Sequence, residues 1–301
     1  MTQRWTPRPL DAARDLAAVA ALWEAALGDH WPIDDWRIAS AMPLGFGVER
    51  DGRLIGAIGC DPAGEITFVI VEPACRRTGV GRALHDAAVA RISAGNERLR
   101  AGGARHIWRG IPGDLPEAAA FFRALGWTSR FTVVDMTLDL ETFRADPAAV
   151  ERATSAGVRF AWATAADRDD VVAYEEREHA AWVPDYRGRF PEEAGSVLVA
   201  RDPAGAVVGA LLIDRPPRHP ARWRRMLGDY VVEIGCVGVA AARNGEGIGT
   251  ALMTIATDEV KRGGARTAFL AWLVRIGFYE RLGYRVWREY TRAELVSARG
   301  G

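Results

Sequence analysis

Helical and alternating hydrophobic patterns follow one another along the chain in an order that occurs twice. Leu16, Val19, Ala20, Trp23 and Leu27 recur at helical spacing over 11–27, with Asp11 placed to cap the start. Apolar runs over 45–50 and 53–59 flank Asp51-Gly52, a tight-hairpin signal. The strand Glu65-Ile-Thr-Phe-Val-Ile-Val71 leads into Arg76-Arg-Thr-Gly79-Val-Gly81, and helical spacing resumes over about 79–93. A strand over 104–108, a short helix containing Phe121-Phe-Arg-Ala-Leu-Gly126-Trp127 and a closing strand complete the first half. The second half repeats the plan: a helix near 167–181, strands near 196–201 and 206–213 around Asp202-Pro-Ala-Gly205, and the strand Glu233-Ile-Gly-Cys-Val-Gly-Val239. Asn244-Gly-Glu-Gly247-Ile-Gly249 then opens a helix over 247–262. A strand over 266–271, a helix containing Phe278-Tyr-Glu-Arg-Leu-Gly283-Tyr284 and a closing strand follow.

One offset of 168 carries Glu65 to Glu233, Val71 to Val239, Gly79 to Gly247 and Gly81 to Gly249 without a gap. The aromatic motifs match at offset 157, so the second half is 11 residues shorter between its motifs. The pattern predicts two mixed α/β domains of one fold, over 1–145 and 156–301. The least patterned stretch, Asp146-Pro147 to Gly157, is expected to be the linker.

The length of 301 residues agrees with two domains of roughly 150 each. With 49% apolar and 26% charged residues, each half has enough apolar side chain for a core, which excludes disorder. Basic and acidic residues both number 39, so net charge gives no attraction to nucleic acid or acidic membranes. Cys60, Cys75 and Cys236 have no metal or redox spacing and read as free thiols of a reducing compartment. The first residues lack a signal-peptide core, and the longest uncharged apolar stretch, 268–274, is far short of the roughly 20 residues of a membrane span. The expectation is a cytoplasmic protein, monomer or homodimer, with no nucleic-acid or membrane partner. The five histidines are scattered and imply no metal site.

A strand running into a glycine-rich turn and then a helix gathers backbone N–H groups at a helix N-terminus, where they can hold a pyrophosphate. Glycine is needed where a Cβ would block the ligand or the backbone angle. Neither turn has the spacing of the P-loop or of the dinucleotide fingerprint.

These doubled motifs resemble the GNAT acetyltransferase superfamily, and the resemblance covers most of the chain. It implies two tandem GNAT domains, each a mixed, mostly antiparallel sheet with splayed fourth and fifth strands flanked by helices. It also implies acetyl-CoA as cosubstrate, its pantetheine arm bonded along the fourth strand like an added strand. Carried onto this chain, the arm meets Val69 and Val71, and Arg76, Arg77, Thr78, Gly79, Val80, Gly81 and Arg82 surround the phosphates. The second-half counterparts are Val237, Val239, Asn244, Gly245, Glu246, Gly247, Ile248, Gly249 and Thr250; Asn244 departs from the family's Gln or Arg, with Arg243 next to it.

Acetylating an alkylamine at neutral pH means removing a proton against roughly 3.4 pK units, about 4.6 kcal/mol. Some family members use a glutamate eleven residues before the first turn position, and Glu65 and Glu233 both stand there. The family's usual acid for the leaving thiolate is the tyrosine of the aromatic helix, which is Tyr279 here and Phe122 in the first half. The first tyrosine in the chain is Tyr174, so the N-terminal half has none of its own. The resemblance thus implies an N-acetyltransferase acting on a primary amine of a small molecule, with Glu233 as base and Tyr279 as acid in the C-terminal half. Two alternatives stay open: a catalytically silent acyl-CoA-binding scaffold, or catalysis in the N-terminal half, at Glu65, without a tyrosine acid.

In the family the segments holding Trp31, Pro32 and Trp36, and Trp182, Pro184 and Tyr186, form acceptor walls; ordinary aromatic packing is the other reading, and His30 and His179 stand nearby. Arg215, Arg218, His219, Arg222, Arg224 and Arg225 form a basic stretch that is either solvated surface or a guide for an acidic acceptor or the CoA 3′-phosphate. As a guide it predicts a Michaelis constant that rises with ionic strength, checked by steady-state kinetics at low and high salt.

Overall fold

A computed structural model describes residues 4–103, 107–214, 221–274 and 276–296. Contacts divide the chain into two compact units: one is the chain up to Val134 with the segment from Trp287, the other is Asp135–Val286.

The first unit contains β1 (Arg8–Pro9), α1 (Ala12–Leu27), α2 (Asp35–Ser40), β2 (Leu44–Arg50), β3 (Arg53–Cys60), β4 (Glu65–Val71), α3 (Val80–Ile92), β5 (Arg98–Ala101), β6 (Ile111–Pro112) and α4 (Pro116–Ala124). Asp11 caps α1 as expected, accepting from the Arg14 N–H at 3.0 Å. Asp51 and Gly52 turn the β2–β3 hairpin at φ 53° and 73°, the left-handed region such tight turns need. Of the strand expected over 104–108, residues 104–106 lie outside the described residues; the strand that follows α3 is β5.

β7 (Thr128–Asp139) leads into the second unit, which contains α5 (Pro147–Ser155), β8 (Arg159–Trp162), α6 (Arg168–Glu178), α7 (Val183–Arg187), β9 (Val197–Arg201), β10 (Val207–Asp214), α8 (Ala221–Leu227), β11 (Val231–Val239), α9 (Ile248–Arg262), β12 (Thr267–Leu273) and α10 (Ile276–Glu280). β13 (Arg285–Val296) ends the described chain. The stretch expected to be a linker is α5. Asp146 caps it, Pro147 begins it, and Ala149 and Ala153 are buried on it. Its buried face is alanine, so the sequence carries no large apolar periodicity there.

The sheet of the first unit runs β1-β2-β3-β4-β5-β13, that of the second β8-β9-β10-β11-β12-β7. The fourth and fifth strands of each unit pair parallel, whereas β2 with β3, β3 with β4, β5 with β13 and β8 with β9 pair antiparallel. Helices cover both faces. A Cβ on Gly56 would strike Val80 and Leu84 of α3 at 2.6 and 2.9 Å, and one on Gly59 would strike the Ala41 carbonyl, just past α2, at 2.6 Å. The first core gathers Ile55, Ile58, Leu84, Leu99, Phe122 and Trp127. The second gathers Val171, Tyr174, Tyr186, Val199, Ala210 and Leu212.

Each unit takes its sixth strand from the other half of the sequence. Ala293 and Leu295 of β13 pair with Ala101 and Leu99 of β5, and Tyr290 with Pro112 of β6. In the second unit the Asp135 carboxylate of β7 accepts the Trp272 N–H at 3.0 Å, and the Leu140 N–H donates to the Arg266 carbonyl at 2.9 Å. A chain ending at Val286 therefore loses the strand that pairs with β5 and β6 and buries Tyr290 and Ala293 in the first unit. Hydrogen exchange of that truncated chain is expected to show protection lost over β4 and β5 and kept over β10 and β11.

Candidate functional site

Each fourth strand parts from its parallel neighbour at or one residue past the glutamate. β4 pairs with β5 only at Glu65 with Arg100 and Ile66 with Ala101, then runs on to Val71. β11 pairs with β12 up to Glu233 with Phe269, then runs on to Val239. On the other side both strands keep their antiparallel partners, Val69 with Ile58 and Val239 with Gly209. Past the parting, one edge of each strand has no parallel partner in the register, and along β4 that edge lines a cleft, the arrangement that accepts an extended ligand as an added strand.

Each strand is also bulged. Leu212 pairs with Gly235 and Ala210 with Gly238, so Leu211 faces two residues, Cys236 and Val237. Cys236 takes φ 48°, unusual for a side chain other than glycine. In β4 the extra residue is Thr67, between Ile66 and Phe68, and its hydroxyl donates to the Ala41 carbonyl.

The glycine turns form uncapped helix starts. Gly79 at φ 94° precedes the 13-residue α3 and Gly247 at φ 81° the 15-residue α9; neither start has a side-chain cap. Their first-turn N–H groups, aligned with the helix dipole, fit an anion. A Cβ on Gly245 or Gly247 would meet nothing within 4 Å, so the glycines there serve the backbone angle and open access. Gly81 and Gly249 do something else. A Cβ on Gly81 would lie 3.1 Å from Phe121, and one on Gly249 would lie 3.5 Å from Phe278 and from Val239. These glycines let the aromatic helix approach the nest.

Around the first turn, the Arg76 guanidinium lies 3.3 Å from the Val71 carbonyl and 3.6 Å from Glu117. Arg77 takes φ 65°, Thr78 donates to the Cys75 carbonyl, Val80 is buried and Arg82 is exposed. Beside them is a cleft of about 410 Å³ lined by Ile66 to Val71, Trp108 and Phe121. Open strand edge, apolar cleft and uncapped helix together suit the arm and the diphosphate of acetyl-CoA. Around the second turn, Asn244 is exposed with extended backbone, and Ile248 is buried. Arg243 is paired with Glu246 at 2.6 Å, so it is engaged by an acid of the same loop.

The two glutamates and the aromatic helices differ between units. The Glu65 carboxylate pairs with Arg100 at 2.9 Å and has Arg292 of β13 at 3.9 Å. Glu233 is half-buried at the end of the β11–β12 ladder. Tyr279 of α10 is 8% exposed, packs edge-on to Phe278 and Tyr284, and lies near Cys236; burial pushes its hydroxyl up to about 12. Phe122 stands in its place in the first unit, and β13 brings a tyrosine into that unit. Tyr290 is buried beside Trp31, at 6.1 Å between rings, and the order of residues along the chain gave no sign of it.

The expected acceptor walls divide. Trp36 is 59% exposed, whereas Trp31 is buried with no partner for its indole N–H and with Arg288 stacked over it at 3.9 Å. His30 pairs with Asp114 at 3.2 Å. Trp182 stacks on His179 at 4.6 Å. Tyr186 is wholly buried. Glu175, also wholly buried, had no sequence signal, because it sits in the charged run 175–178. Of the basic stretch, Arg215, Arg218 and His219 lie outside the described residues and so does the side chain of Arg222; Arg224 and Arg225 are on α8. Among the described residues no three His, Cys, Asp or Glu side chains gather about a metal position, and no helix is long and apolar enough to cross a membrane.

The profile of the acetyltransferase (GNAT) family matches residues 10–127 and again 149–284. The chain belongs to the acetyltransferase (GNAT) family. The chain is 30% identical over 230 residues to a mycothiol acetyltransferase of Clavibacter sepedonicus, covering 71% of this chain and 66% of that protein. With a mycothiol acetyltransferase of Parafrankia sp. it shares 29% over 317 residues, covering 92% and 94%. With one of Corynebacterium efficiens it shares 26% over 254 residues, covering 80% and 77%. Among solved structures it matches a GCN5-related glucosamine N-acetyltransferase region of a fungal multi-domain β-N-acetylglucosaminidase, with TM-score 0.85 and 23% identity over 97% of this chain and 38% of that one. It also matches a tandem GNAT protein from the clavulanic acid biosynthesis pathway, with TM-score 0.66 and 19% identity over 97% and 98%. The family uses acetyl-CoA in general, and the doubled GNAT fold is thus shared along nearly the whole chain.

If both GNAT nests hold acetyl-CoA, calorimetric titration gives two sites per chain. Gly81→Glu and Gly249→Glu each remove one, since the new carboxylate meets the aromatic helix and repels the phosphates.

Proposed function

We propose that this GNAT protein transfers the acetyl group of acetyl-CoA to a primary amine of a small molecule, with the chemistry in the unit Asp135–Val286. The observation that carries the reading is Tyr279, buried near the bulge of β11, where the first unit has Phe122. The shared name of the relatives supports a mycothiol-related amine as acceptor.

Acetyl-CoA supplies the activated acyl carbon and a thiolate leaving group. Glu233, at the throat of the splay, takes the amine proton, directly or through water. The Val237 N–H, outside the β10 ladder, holds the oxyanion that develops on the acyl oxygen. Tyr279 stays protonated at neutral pH and donates to the departing sulfur. The desolvation that raises its pKa also disfavours a bare thiolate, so the hydrogen bond gains where it is needed. Backbone of Val237 and Val239 and the nest from Asn244 through Gly245, Glu246, Gly247 and Ile248 to Gly249 and Thr250 hold the cosubstrate. In the first unit Val69, Val71 and the turn Arg76 to Arg82 hold a second molecule of it.

One observation favours a second reading, catalysis in the first unit: its cleft of about 410 Å³ beside the first turn, in a unit whose buried tyrosine is Tyr290. Tyr279→Phe and Tyr290→Phe separate the two. Tyr279→Phe is expected to lower kcat by roughly 10²–10⁴ with acetyl-CoA binding intact, and Tyr290→Phe to leave kcat within a few fold. The reverse result assigns catalysis to the first unit. Binding of acetyl-CoA without turnover on any amine supports a silent acyl-CoA-binding protein instead.

A further inference from the structure

The bulge of β11 is held from one side by a side chain that no step of acyl transfer uses. Tyr186 of α7 is wholly buried, and its hydroxyl donates at 2.7 Å to the carbonyl of Cys236, the residue at φ 48°. A trans peptide is planar, so the Cys236 carbonyl and the Val237 N–H point in opposite directions from one rigid plate. Fixing the carbonyl therefore aims the N–H. Neither residue has a register partner in β10, so the sheet ladder leaves that plate to other contacts.

Tyr186 has a neighbour of its own. Glu175 of α6 is 0% exposed, and neither of its oxygens has a hydrogen-bond partner of ordinary geometry, although the carboxyl faces the Tyr186 hydroxyl. The titratable groups that act on it or feel it are Tyr174 and Glu178 of its own helix, Tyr186 of α7 and Cys236 of β11. None of these is a cation. Around Cys236 stand also Asp185, Glu233 and Arg189. Burial pushes Glu175 up to about 8, so at neutral pH the carboxyl keeps its proton and can donate to the tyrosine oxygen, whose own hydrogen is committed to Cys236.

We propose that Tyr186, backed by Glu175, is the positioning residue that orients the Cys236–Val237 peptide and so aims the Val237 N–H at the acyl oxygen. The inference rests on the reading that acyl transfer occurs in the unit Asp135–Val286. It gives Tyr186 a role behind the strand, in place of the acceptor wall that its position in the sequence implied. Ionised Glu175 would become an acceptor competing with the Cys236 carbonyl for the tyrosine hydrogen, so turnover falls as pH rises through about 8.

Tyr186→Phe keeps the ring and removes one oxygen. With the full-length protein it is expected to lower kcat by roughly 10–10²-fold, with little change in the KM for acetyl-CoA, and to shift the amide resonance of Val237. Glu175→Gln, neutral at every pH and still a donor, is expected to keep activity at neutral pH and to flatten the fall above pH 8. It also flattens the pH dependence of stability. The folded state keeps a proton that the unfolded chain releases from about pH 4.5 upward, so wild-type stability declines up to about pH 8. A normal kcat in Tyr186→Phe, when Tyr279→Phe is impaired, overturns this inference alone. Normal kcat in both variants overturns the placement of the chemistry and the inference with it. If Tyr186→Phe does not fold, an unaltered alkaline fall in Glu175→Gln overturns the proposal by itself.

Discussion

A strand that leaves its neighbour exposes a row of N–H and C=O groups, and a folded protein does not bury such a row without partners. This chain makes that break twice, after Ile66 and after Glu233. Much else around the site follows from it. The parted edge needs an extended ligand or solvent, and the uncapped starts of α3 and α9 offer a place for that ligand's charge. The bulges move one residue of each strand out of register with its antiparallel neighbour. Parting, bulge and uncapped helix start recur together in both units.

The two copies keep this device and differ in what surrounds it. Gly81 with Phe121 and Val71 repeats Gly249 with Phe278 and Val239, a packing that holds the aromatic helix against the nest. Charge and hydroxyl groups have diverged. Replacing the first turn arginine by Asn244 removes a charge-assisted contact worth about 1.5–3 kcal/mol, while the backbone nest persists. Replacing a tyrosine by Phe122 removes a proton donor worth roughly 10²–10⁴ in rate. Affinity lost from one contact is recovered from many others, whereas a missing proton donor has few substitutes, which is the physical weight behind placing the chemistry beside Tyr279.

The closing strands tie the halves of the chain together. β13 supplies the first unit with Tyr290, Arg288 and Arg292, the last with Glu65 at 3.9 Å, and β7 supplies the second with Asp135. A substitution near the C-terminus therefore acts on a site whose other residues are encoded at the start of the chain. Asp135, fully buried, meets the Trp272 N–H where that residue takes φ 59°, so the exchanged strand also supports an unusual backbone turn in β12.

The residues by themselves determined the doubled plan, the hairpin at Asp51-Gly52, the cap at Asp11, the two glycine nests and the positions of Glu65, Glu233 and Tyr279. All of these are set by local backbone preference or short periodicity, which adjacent residues carry. They gave β5 the wrong place, because its four residues, Arg98–Ala101, alternate charged and apolar while the larger apolar side chains, Ile107 and Trp108, follow it. They hid α5, whose buried face is alanine. Only the tertiary structure decided which closing strand completes which unit, that Tyr290 reaches the first unit, and that Tyr186 and Glu175 lie behind the bulge of β11. Those outcomes depend on long-range strand pairing and on desolvation by distant elements, and no stretch of neighbouring residues encodes either.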